Sequence, residues 1–127
     1  MAIGWRRMGW QVIWAACLLS GTASAEEARP LNPYPELVRT YYDYGVVEYC
    51  GLVDLPSHNG FALLRNDQIA RGKIGREADR RARVDADMAV DFEYQDRGLS
   101  GQKNWCKTEG GQAVERFTQY FRTRRLP

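Results

Sequence analysis

The chain has 127 residues, 44% of them hydrophobic and 27% charged, with a formal net charge of +2 at pH 7. A single histidine and three cysteines exclude the usual multi-ligand zinc patterns, and no Cys-x-x-Cys or His-Glu-x-x-His spacing occurs. No catalytic signature and no cofactor motif is present, so neither a metal nor a cofactor is expected.

The first segment reads as an export signal. Arg6 and Arg7 form a short positive start, and the stretch from Met8 to Leu19 is apolar except for Gly9 and Gln11. Ala23-Ser24-Ala25 supplies the small-residue pattern that signal peptidase accepts, so residues 1–25 are assigned as a cleavable signal peptide with Glu26 as the new N-terminus. The apolar run is about a dozen residues, short of the ~20 that span a bilayer as a helix. A retained anchor and a lipid-modified Cys17 are weaker readings, because apolar residues continue past it as Leu18 and Leu19. The Arg6-Arg7 pair fits twin-arginine export poorly, being followed by Met8-Gly9-Trp10. The expectation is Sec-type export to the periplasm or beyond. The absence of an Asn-x-Ser/Thr sequon agrees with a bacterial envelope protein.

Removing the signal takes two arginines with it and leaves equal numbers of acidic and basic residues. A formal charge of zero gives no general reason to bind nucleic acid or an anionic membrane surface. The remaining chain suits one small domain, with residues 26–34 as an extended linker and 35–127 as a helical unit. Cys50 and Cys106 survive cleavage and are expected to pair in an oxidising compartment. Closing a loop of this length stabilises by about 4 kcal/mol on the chain-entropy argument.

Helical spacing runs through the rest. Asn32 is a candidate cap for a first helix whose opening tolerates Pro33 and Pro35. Its apolar stripe is Val38, Tyr42, Gly45, Val46, Tyr49, Cys50 and Val53, with Pro56 closing it. Ser57-His58-Asn59-Gly60 reads as a turn with Ser57 or Asn59 as the next cap. A second helix is predicted over about 61–71, facing inward with Phe61, Leu64 and Ile69. Gly72-Lys73-Ile74-Gly75 breaks it. The third helix, about 76–97, has a narrow stripe of Val84, Met88 and Phe92, and Gly98-Leu99 is its stop, with Leu99 folding back.

Gly110-Gly111 resembles a break, yet Cys106, Gly110, Ala113, Phe117 and Phe121 share one helical face. The spacing predicts a single helix over about 102–123, kinked at the glycines, with Gly110 facing the first helix and Gly111 turned away. Together these elements predict an all-α, up-down-up-down four-helix bundle stapled by Cys50–Cys106, with Trp105 packed over the disulfide.

Several residues are candidates for function. Arg76, Arg80, Arg81 and Arg83 fill the first half of the third helix, and Asp85, Asp87, Asp91 and Glu93 the second. This polarity opposes the helix macrodipole. Ordinary surface pairing accounts for much of it, since Glu77–Arg81, Asp79–Arg83 and Glu93–Arg97 lie at i,i+4 spacing, as does Asp67–Arg71 on the second helix. Tyr41 and Tyr44 lie beside the first helix's stripe, where they could stack on a ligand or partner. With Arg76, Arg80 and Arg83 they are the candidate binding residues. His58, Asp54 and Glu48 form a weaker catalytic alternative. The expected function is a binding or accessory module of the cell envelope, with an envelope protein or cell-wall component as partner. No nucleic acid and no stable membrane insertion are expected. The alternative is a small cell-wall hydrolase using carboxylates near His58.

Overall fold

The computed structural model describes residues 31–127, the side chain of Leu99 apart. The assigned signal peptide, most of the linker and the fold-back of Leu99 lie outside the described residues. Four α-helices follow in order: α1 (Pro35–Tyr49), α2 (Leu55–Gly72), α3 (Arg76–Trp105) and α4 (Gly111–Thr123). A π-helical turn, Cys106–Gly110, joins α3 to α4. Among the described residues there is no strand, and no helix is long and apolar enough to cross a membrane.

The helix ends show which local signals prevail. Asn32 does not cap α1, whose N-cap is Tyr34. Its side chain instead accepts from the Tyr34 N–H at 2.9 Å and donates to Asp85 at 2.8 Å, tying the linker to α3. Pro56 does not close α1; it occupies the first turn of α2, where proline lacks no needed donor. The expected turn at Ser57–Gly60 is therefore helix. Asp54 is the cap: its carboxylate accepts from the Ser57 N–H at 2.8 Å, and Ser57 Oγ accepts from the Asp54 N–H at 3.1 Å. This reciprocal capping box starts α2 at Leu55, nearly two turns earlier than its apolar residues indicate. Gly98 takes the left-handed φ of 65° expected of a helix stop, but the chain re-enters helix at once. Gln102 donates to the Tyr94 carbonyl at 3.1 Å, satisfying a group at the break.

Residue-by-residue contacts give the helix directions. α1 and α3 run parallel, with Tyr41 bonded to Asp79 and Tyr49 to Asp91. α2 and α4 also run parallel, with Gly60 on Phe117 and Asp67 on Tyr120. Between these layers α1 is antiparallel to α2, through Tyr44 and His58, and to α4, through Asp43 and Arg116. The closest pairings are α1 with α3 and α2 with α4.

The core sits around α1. Leu37, Tyr41 and Val47 join Phe61 and Leu64 of α2, Ala82 and Ala86 of α3, and Ala113, Phe117 and Tyr120 of α4. A second cluster packs Val46, Val90 and the fully buried Trp105 against Cys50 and Cys106. Trp105 therefore covers the disulfide as expected, and the two sulfur atoms are at bonding distance, 2.05 Å, with 5.3 Å between Cα atoms.

Two predicted stripes are displaced. Of the first stripe, Tyr49 at the end of α1 and Val53 in the connection beyond it are about half exposed, while Tyr41 is buried. On α3 the reversal is complete: Val84, Met88 and Phe92 are exposed, and Ala82, Ala86 and Val90 face inward. The small face wins because α3 lies close to α1, where Gly45 has no side chain and a Cβ there would stand 2.9 Å from Val90 Cγ2.

Close approach recurs at two other glycines. A Cβ on Gly110 would meet Leu52 at 3.0 Å and Cys50 Sγ at 3.4 Å, so Gly110 is the buried member of its pair and Gly111 is open, as the spacing indicates. A Cβ on Gly60 would sit 1.8 Å from the Phe117 carbonyl oxygen, a backbone atom with no rotamer to yield. Gly60→Ala is expected to destabilise by at least ~2 kcal/mol despite alanine's better helix propensity, with Gly110→Leu costing ~1–3 kcal/mol. Gly111→Ala should be neutral or stabilise by up to ~1 kcal/mol. Urea unfolding of the three variants checks this ranking.

Candidate functional site

The parallel packing of α1 on α3 leaves an open groove where α2 approaches them. Tyr41, Tyr44, Glu48 and Tyr49 of α1, Phe61 of α2, and Arg83, Asp87 and Asp91 of α3 line it, over a floor of Gly45 and Val90. Its volume is about 480 Å³. Three carboxylates face one guanidinium, a formal charge of −2 on a chain whose formal net charge is +2.

The aromatic wall is fixed by stacking. Tyr44 lies parallel to Phe61, 3.9 Å between centroids and 7° between planes, and Phe61 meets Tyr41 and Phe117 edge-on at 5.9 and 5.7 Å. Each groove tyrosine also has a hydroxyl partner. Tyr41 donates to Asp79 at 2.5 Å, Tyr49 donates to Asp91, and Tyr44 meets His58 Nδ1 at 2.8 Å. Burial pushes the Tyr41 phenol up to about 12, helped by the Asp79 hydrogen bond. Burial raises Tyr44 as well, with the Glu48 charge adding to it, whereas for Tyr49 the Asp91 hydrogen bond is the first cause. The rings stay neutral and held in place at physiological pH. The Arg83 guanidinium stands over the Tyr41 ring, 5.8 Å from its centroid.

The sequence-derived candidates divide accordingly. Tyr41, Tyr44, Glu48 and Arg83 converge on the groove, although Tyr41 is buried rather than beside the core. Arg80 is outside it, bonded to Glu77 at 2.5 Å, and Arg76 is exposed at the start of α3. Of the expected i,i+4 pairs, Glu93–Arg97 forms at 2.6 Å. Asp79 turns to Tyr41, and Asp67 takes Tyr120 at 2.5 Å and Arg124 at 3.2 Å. Asp87 and Asp91 belong to the acidic cluster of the third helix, whereas Tyr49 and Phe61 are groove residues that the spacing assigns to the core.

The three catalytic candidates have different surroundings. The Asp54 carboxylate is engaged in the capping box, where hydrogen bonds from Ser57 hold it below its usual pKa. The His58 ring faces Tyr44, so Asp54 does not orient it. Glu48 lies in the groove one helix away. Among the described residues no cluster of three metal-ligating side chains occurs. Compared with protein-family models, curated proteins and solved structures, the chain matches none.

A phenol with a raised pKa in the folded state stabilises below the unfolded value near 10 and loses that contribution as pH rises toward 12. Tyr41→Phe is expected to cost about 1 kcal/mol at pH 7, for the lost Asp79 hydrogen bond. It should also flatten the decline in stability above pH 10. Denaturant unfolding of both proteins at pH 7, 9 and 11 measures the two effects.

Proposed function

We propose that this protein is an exported binding module of the bacterial cell envelope, an up-down-up-down bundle released after Ala25, that takes a cationic group of a small ligand or peptide in the α1–α2–α3 groove. The observation that carries this reading is the convergence of Tyr41, Tyr44, Tyr49, Glu48, Asp87 and Asp91 around one cleft. Electron-rich ring faces attract a cation, worth ~0.5–2 kcal/mol according to how far it is desolvated. The carboxylates add a field of the right sign, and Arg83 at one end rejects a second cation or receives the ligand's acidic group. Because the tyrosine hydroxyls are already bonded within the protein, the rings need little reordering on binding. An envelope protein with exposed lysine or arginine, or a cell-wall peptide bearing an amine, has this chemistry. The bonds that His58 and Asp54 make support positioning rather than hydrolysis.

Benzamidine and benzoate are matched probes, alike in ring and opposite in charge. Benzamidine is expected to shift the amide resonances of Gly45, Glu48 and Asp91, and benzoate to leave them in place. Glu48→Gln with Asp87→Asn should weaken binding about fivefold or more, the loss of two screened charge contacts. An equal response to both probes, or to neither, defeats the proposal. Arg76→Ala and Arg80→Ala, outside the groove, should leave the benzamidine response nearly unchanged.

A further inference from the structure

Gln68 of α2 is a polar side chain where packing alone calls for an apolar one. It follows the fully buried Leu64 by one helical turn on the inward face, and it is only 7% exposed. Its Oε1 has no hydrogen-bond partner among the described residues. An amide oxygen buried in this way costs stability that a methionine of similar shape would not. Gln68 also lines a second open cavity, of about 470 Å³, where the start of α1 passes the end of α2. Tyr34, Leu37 and Ile74 give that cavity an apolar wall. Two exposed charges flank it, Glu36 from α1 and Arg71 from α2. Arg71 Nε donates to the Asp67 carbonyl at 3.3 Å, a bond that holds the side chain and engages none of its terminal N–H groups.

We infer that this cavity binds a free α-amino acid with an apolar side chain. The ammonium of the zwitterion donates to Gln68 Oε1 and lies toward Glu36. The carboxylate accepts from the terminal N–H groups of Arg71, and the ligand side chain covers Leu37 and Ile74. The last torsion of a glutamine is soft, so the amide can turn its oxygen toward a donor in the cavity. The lining selects this class of ligand. A simple cation is opposed by Arg71 and a simple anion by Glu36, while a neutral apolar molecule leaves the Gln68 oxygen as unpaired as before. A zwitterion whose cationic end carries N–H donors satisfies all three groups through charge-assisted hydrogen bonds. The buried, unpartnered amide is the observation that separates this cavity from an ordinary pairing of helix ends.

The inference is independent of the groove reading, because the cavity lies at the start of α1 and the groove along its middle and end. Leucine, leucinamide and N-acetylleucine separate the contributions: the first carries both charges, the second lacks the carboxylate and the third lacks the ammonium. In an NMR titration of the purified protein at neutral pH, leucine should shift the backbone amides of Leu37 and Ile74 and the side-chain amide of Gln68. A dissociation constant on the order of 1 mM is expected for a ligand of this size. Each analogue should bind about tenfold more weakly or worse, having lost a charge-assisted contact. Arg71→Gln, at an exposed position, should weaken leucine about tenfold with the helical circular dichroism unchanged. Gln68→Met should weaken it at least about tenfold while urea unfolding shows a protein as stable as the parent or more so, which an amide needed for packing would not allow. No shift with leucine overturns the inference. So does an equal response to leucinamide, or to N-acetylleucine, which would make the site one for a peptide carboxy terminus. A Gln68→Met protein that binds leucine as before, or that is less stable than the parent, overturns it as well.

Discussion

The contact on which the rest of the structure depends is the crossing of α2 over α4 at Gly60. There the two backbones come so close that even a methyl group would overlap the Phe117 carbonyl. This approach places Phe61, the next residue, edge-on against Phe117 and face-on against Tyr44. Tyr44 in turn fixes one wall of the groove. A glycine in mid-helix carries a propensity cost of ~1 kcal/mol, offset here by the aromatic packing that the close crossing permits. The groove is thus a consequence of how α2 meets α4, although no residue of α4 lines it.

α1 is the shared partner, and its polar residues reflect that position. Asp43 is buried, yet it accepts from Arg39 at 2.8 Å and from Arg116 of α4. A buried carboxylate is tolerable only with such partners, and removing Arg116 would strand it. Thr40, also buried, donates to the Glu36 carbonyl one turn back. Around the π-turn, Glu109 gathers the Trp105 indole N–H at 2.9 Å and the Tyr42 hydroxyl at 3.3 Å, with Arg97 at 3.7 Å. The wider turn sets Glu109 toward α1 while leaving Gly110 against Cys50. The disulfide therefore lies between two polar anchors, and the end of α1 is held by covalent, apolar and hydrogen-bonding contacts together.

Some of this was legible in the residues and some was not. The four-residue spacing from Cys106 to Phe117 overrode the helix-breaking reputation of Gly110 and Gly111, and it named Gly110 as the buried one. The Cys50–Cys106 pairing and the left-handed Gly98 followed from equally local arguments. The start of α2 did not, because Ser-His-Asn-Gly carries turn chemistry in isolation, while the capping box anchored at Asp54 draws those residues into helix. The α3 orientation failed for a different reason. Hydrophobic periodicity assumes that the largest apolar residues face inward, but a helix docked against Gly45 needs small ones. Tyr41, Tyr44, Glu48 and Arg83 could each be named from sequence. Their convergence depended on α1 and α3 running parallel at short distance, which no one-dimensional pattern encodes.

The way α3 is attached bears on the groove that it lines. Its buried face offers Ala82, Ala86 and Val90, whose small side chains yield less burial energy than the phenylalanines joining α2 to α4. Much of the difference is supplied by hydrogen bonds from Tyr41, Tyr49 and Asn32 to Asp79, Asp91 and Asp85. Such bonds contribute about 1 kcal/mol each, and those from Tyr41 and Tyr49 require the phenols protonated. The attachment of α3 therefore weakens as pH rises through the raised phenol range. Of these carboxylates only Asp91 also lines the groove, whose negative field it shares with Glu48 and Asp87. Removing Asp91 would therefore loosen the hold of α1 on α3 and weaken the charge of the groove together, so the anchoring of the helix and the chemistry of the groove meet at one residue.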